Sequence, residues 1–167
     1  MKYLFWGLGG LIGFWTEVVL NPTFQVLGYK IQFSWIALII MILRWPSMFL
    51  VFYGLILGLM SDSFSHSMLG LYGISFFLTL LVARKIGESF YESNVFSTMI
   101  FVVFLSLIEG ALSMLLLKLL LTEISWSSVF MQTVVPLSLI QGVLSPLVFF
   151  LLLRMESLFH LNPEGYV

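Results

Sequence analysis

Apolar runs follow one another along almost the whole of this chain, and its charges fall mainly in the short gaps between them. That pattern leaves few ways to fold. Lys, Arg, Asp and Glu make up 9% of the 167 residues, seven basic and eight acidic, against 60% hydrophobic. An average soluble domain is about a quarter charged. Fifteen charged side chains cannot cover a water-soluble globule of this size, so a soluble domain and an aqueous enzyme are both excluded. Disorder needs low hydrophobicity and is excluded too. A net charge of −1 with scattered basic residues offers no footprint for nucleic acid. Without cysteine there is no disulfide framework, thiolate metal site or Cys nucleophile. What remains is an integral membrane protein with little mass outside the bilayer.

A helix crosses about 30 Å of hydrocarbon with about 17–25 apolar residues. Six runs qualify or come close: 3–20, 31–43, 46–60, 68–83, 95–121 and 129–153. Asn21-Pro22 ends the first, because proline disfavours helix in the residue before it. Pro46 opens the third at a favourable first position. The second, third and fourth are short, so Lys30, Arg44 and Arg84 must snorkel, or the second and third form a re-entrant hairpin. Six real spans are expected, in one domain over residues 1–167. The start lacks a small-x-small cleavage site and reads as a retained first helix. With the N-terminus inside, Lys2, Arg44, Arg84, Lys85 and Arg154 are cytoplasmic, five of the seven basic residues. Lys30 and Lys118 fall outside. Both termini are then cytoplasmic, and Trp6, Trp15, Trp35, Trp45 and Trp126 lie near the interfaces as aromatic belts. The inner segment 84–94 is the longest cytoplasmic loop and a candidate protein surface.

Ionisable groups within spans are functional candidates by default. Glu109 lies near the middle of the fifth run, and Ser106, Glu109 and Ser113 share one helix face. Ser138, Gln141 and Ser145 form a matching stripe in the sixth, at a depth that pairs Gln141 with the Glu109 carboxyl. Glu109 is either a proton relay or substrate anchor, or a carboxyl that locks helices five and six together. The second reading is preferred, since transport would need more polar groups at that depth. Small residues at Gly54 and Gly58, and the stripe Gly10, Gly13 and Glu17, let helices approach closely; they suit either internal packing or a groove for a partner's helix. Glu17, Asp62 and His66 are a weak candidate cation site, and 61–67 a weaker Ser-His-Asp arrangement. Asp62 suits better a cap on an adjacent helix start or a pairing with Lys30. Ser67 suits the N-cap of the fourth run. No nucleophile–base pair, phosphate loop or ligand cluster is present, and no cofactor is expected.

The segment Gly54-Leu-Ile-Leu-Gly58-Leu59-Met-Ser-Asp62, followed by Leu69-Gly70, resembles the rod shape-determining MreD family, recognised by G-x-x-x-G-L-x-x-D and a subsequent L-G. Many members open the second helix with proline, where this chain reads Lys30-Ile-Gln-Phe-Ser34. The resemblance implies an all-α, six-helix bundle similar to the substrate-binding subunits of energy-coupling-factor vitamin transporters. It implies a non-enzymatic scaffold of the bacterial cell-elongation complex in the plasma membrane, helping to organise lateral peptidoglycan synthesis. The implied direct partner is MreC, through transmembrane helices. MreB, RodA and a class B penicillin-binding protein follow indirectly. The alternative is a small-molecule-binding membrane subunit of a vitamin-type transporter.

Overall fold

The computed structural model of the chain describes residues 2–20, 30–65, 70–89, 94–120 and 126–158. Every element among them is helical. In chain order they are α1 (Lys2–Leu20), α2 (Phe33–Arg44), α3 (Met48–Ser65), α4 (Leu71–Ser89) and α5 (Val95–Leu120). A last rod joins α6 (Trp126–Val129), a π-helical turn (Phe130–Val134) and α7 (Val135–Leu158). Segments Val95–Leu119 and Phe130–Leu158, of 25 and 29 residues, are long and apolar enough to cross a membrane.

The centre is α2. It packs against α1, α3, α4, α5 and α7, and no residue from Trp35 to Ile42 is more than 3% exposed. A helix apolar on every face is stable only when enclosed on every face. Enclosure also explains its length. Twelve residues span about 18 Å, too little for a lipid-facing helix, but a rod sheathed in protein need not match the hydrocarbon thickness. Trp35 therefore does not sit in an aromatic belt. It is fully buried, its ring 4.3 Å from that of Phe76 on α4, and its Nε1 donates to Ser106 Oγ on α5 at 3.2 Å. Trp45, at 3% exposure, is buried as well.

Two helices overrun their apolar segments. α3 continues past 60 to Ser65, carrying Asp62 in its last turns. α4 starts at Leu71 and continues to Ser89, so Arg84, Lys85 and Glu88 lie on a helix and not in a loop. Hydropathy marks the limit of the hydrocarbon, whereas Arg, Lys and Glu are good helix formers beyond it. Arg84 Nε meets Glu88 Oε1 at 2.9 Å, one turn on.

The π turn has a local cause. Proline at 136 lacks an N–H, and its ring would clash with the carbonyl of Gln132 in a regular helix. The wider turn relieves this, and Val135 N–H reaches back to Phe130 O. Pro146 is carried inside α7.

At the other end of the rod, Arg44 closes the last turn of α2 and donates from Nη2 to both carboxylate oxygens of Glu156 on α7, at 3.0 and 3.2 Å. The two side chains are 10% and 7% exposed, and the guanidinium also stands 5.5 Å from the Phe149 ring. Breaking one member of a buried pair strands the other. Glu156→Ala should lower stability by on the order of 3–5 kcal/mol, while the double replacement Arg44→Met, Glu156→Leu should recover most of the loss. Thermal unfolding of the purified variants in detergent checks both.

Candidate functional site

The α3–α4 hairpin gathers the glycine-and-aspartate segment. Gly58 meets α4 backbone to backbone: a Cβ there would stand 2.7 Å from Gly73 Cα and 2.8 Å from Tyr72 O. Gly54 leaves room for the Leu80 side chain. One turn beyond Gly58, Asp62 is buried at 1% exposure. Its Oδ2 accepts the Gly70 and Gly73 N–H groups at 2.9 and 3.3 Å, and its Oδ1 accepts the Tyr72 N–H at 3.1 Å. Those are donors at the start of α4, which have no partner within their own helix and carry the positive end of its dipole. Asp62 thus caps the next helix. Gly70 turns the chain into that helix at φ +99°, a conformation that L side chains rarely adopt. Leu59 is partly exposed and covers Gly73. Leu69, Ser67 and His66 lie outside the described residues.

The stripe on α1 also turns inward. A Cβ on Gly10 would strike the Tyr53 ring on α3, and one on Gly13 would meet Ser34 Cα on α2 at 3.0 Å. Both positions are buried. Glu17, at 8% exposure, accepts from Ser34 Oγ at 2.6 Å. Close approach at these glycines is therefore made to the chain's own helices, not to an open groove.

Glu109 is buried at 6% exposure on α5. Its Oε1 lies 2.7 Å from Ser113 Oγ and 3.2 Å from Ser75 Oγ, and the two hydroxyls are 3.0 Å apart. This corrects the partner expected for it. The carboxyl ties α5 to α4 through Ser75, not to the last rod through Gln141. Contact between α5 and the last rod is steric instead: Gly110 faces Val134, and Gly142 faces Val103. Ser138 and Ser145 donate to carbonyls within their own helix. Glu109 and Gln141 do line one cavity of about 350 Å³ between α5, the π turn and α7. Among the described residues no three His, Cys, Asp or Glu side chains gather to hold a metal ion.

The chain matches the family of rod shape-determining protein MreD over residues 1–155. It belongs to the MreD family. No curated protein and no solved structure matches it. MreD membership assigns the chain to bacterial rod-shape determination.

Several residues that complete these contacts carried little signal of their own. Ser75 belongs to a polar stripe on α4 with Tyr72 and Thr79, spaced three and four apart, which marks a buried face. Glu156 stands in a polar C-terminal segment that reads as surface. Ser34 and Gln32 precede or open a short helix, where polar residues are commonplace.

In this MreD-family hairpin, substitutions at three positions should separate the roles. Asp62→Ala removes a cap and should cost about 1–2 kcal/mol, with Asp62→Asn costing less. Gly58→Ala puts a methyl against backbone that cannot rotate away and should cost about 1–3 kcal/mol. Gly70→Ala should cost about 1–2 kcal/mol through its φ alone. Chemical or thermal unfolding of each variant measures them.

Proposed function

We propose that the chain is a non-enzymatic membrane scaffold of the bacterial cell-elongation complex, in which it binds MreC and helps organise lateral peptidoglycan synthesis. Family membership over residues 1–155 is the observation that carries this reading. In it, six helices span the plasma membrane with both termini cytoplasmic, and five of the seven basic residues lie inside. The layout is shared with the substrate-binding subunits of energy-coupling-factor transporters. MreB, RodA and a class B penicillin-binding protein are reached through MreC. Membership in a shape-determining family favours this over the vitamin-transporter alternative.

The packing supports a mechanism of holding rather than of chemistry. Glu17, Asp62 and Glu109 each accept hydrogen bonds from another helix or its start, and Glu156 is ion-paired with Arg44. Satisfied groups of this kind lock helices in register. Since Gly10, Gly13, Gly54 and Gly58 face inward, the MreC helix docks on outward side chains instead.

Two measurements test the reading. Depleting the protein should convert rods to round cells, with wild type restoring shape and Asp62→Ala restoring it in proportion to its folded amount. Photo-crosslinkers placed one at a time on outward positions of α1, α3, α4, α5 and α7 should capture MreC in native membranes from at least one helix. No capture from any of them would remove MreC as the direct partner.

A further inference from the structure

The cavity beside Glu109 has one wall that the packing leaves unfinished. Gln32, just before α2, is 8% exposed. Gln32 lines that cavity, and its Oε1 is buried and has no hydrogen-bond partner. Buried acceptors of this kind are rare in native proteins, because desolvation without a donor opposes folding. Gln32 is retained where an apolar residue of similar length would cost less. That asymmetry points to a donor brought in by something else.

The remaining wall describes that something. Leu71, Met114, Leu117 and Leu137 give the cavity an aliphatic surface, and at about 350 Å³ it falls within the usual range of small-molecule sites. Glu109 and Gln141 add polar groups on the side of α5 and α7. No lysine, arginine or histidine is among its lining residues, so an anionic head would find no counter-charge. Thr133 and Val134 of the π turn complete the wall. Such turns recur at functional sites because they redirect side chains that a regular helix would place elsewhere.

We propose that this cavity is a binding site for an amphiphile with an apolar body and a hydrogen-bond-donating head, a hydroxyl or an ammonium, which donates to Gln32 Oε1. The head then supplies the missing donor, and the aliphatic wall takes the body. The site is separate from the scaffold reading, and neither depends on the other. The occupant comes either from the membrane, as a neutral lipid, or from solution, as a small amphiphile.

The test uses the full chain in phosphatidylcholine nanodiscs. A ligand that binds only the folded protein raises its melting temperature. Octanol or octylamine should do so for the wild type, and octanoate should not. In Gln32→Leu that rise should vanish, while the variant alone melts no lower than wild type, since an unpartnered acceptor has been removed. Val129→Phe, which obstructs the cavity from its partly exposed rim, serves where Gln32→Leu does not fold. Native mass spectrometry of the protein released from its own membranes identifies the source: a bound diacyl mass marks a lipid, and a smaller mass a free amphiphile. No rise with either probe, an equal rise with octanoate, or an undiminished rise in both variants would overturn the proposal. So would the absence of any bound mass together with no rise.

Discussion

A twelve-residue helix apolar on all its faces has to be enclosed, and the bundle follows from how α2 is enclosed. Five helices pack on it, and four of them are held to it by different devices. The α1 contact is a glycine opposite Ser34 with the Glu17–Ser34 hydrogen bond beside it. The α5 contact is the Trp35–Ser106 hydrogen bond, the α4 contact the Trp35–Phe76 rings, and the α7 contact the Arg44–Glu156 pair. Where lipid surrounds a bundle, apolar side chains gain little by leaving lipid for protein, so packing and polar contacts carry the specificity. Each interhelical hydrogen bond is worth only about 0.6–2 kcal/mol in that setting. Several of them around one core fix a single arrangement where one would not.

The polar residues have the same meaning throughout. In a chain with 9% charged residues, a buried acid is retained only if its surroundings satisfy it. Asp62 meets three backbone N–H groups, Glu109 two hydroxyls, Glu17 a hydroxyl and Glu156 a guanidinium. Each of the four acids joins its own helix to another. Gln32 is the contrast, a residue that lines a cavity and whose buried Oε1 has no hydrogen-bond partner.

Helix number and order were legible in the sequence because apolar runs and their breaks are one-dimensional signals. The capping role of Asp62 was legible too, as one of two alternatives, since a short turn leaves few donors within its reach. Three things were not. The centrality of α2 was hidden because hydropathy reports removal from water and does not distinguish lipid from protein; Trp35 looks the same in a belt and in a core. The partner of Glu109 was hidden because depth along a helix says nothing about azimuth, and Ser75 lies on a neighbour that no stripe-matching of α5 with the last rod would select. The length of α4 was hidden because helix continues where hydrocarbon ends.

The hairpin clasp changes how a glycine-and-aspartate segment of this kind should be interpreted. Residues such as Gly58 and Asp62 invite assignment to an interface, because small and charged residues in a membrane helix so often mark one. Here their space and their lone pairs are already taken by α4. A substitution at either position removes a cap or forces two backbones apart, so any loss of cell shape reports first on folding. In the proposed scaffold, recognition of a partner is then left to side chains that the bundle turns outward, such as Ile12 and Trp15 on α1 or Phe104 on α5, which are 48%, 65% and 50% exposed. These are apolar and interchangeable with lipid in chemistry, and a contact made of them is specified by shape. A bundle whose interior is rigidly keyed presents one outer shape reproducibly, which is what a core built on α2 and clasped at Asp62 provides.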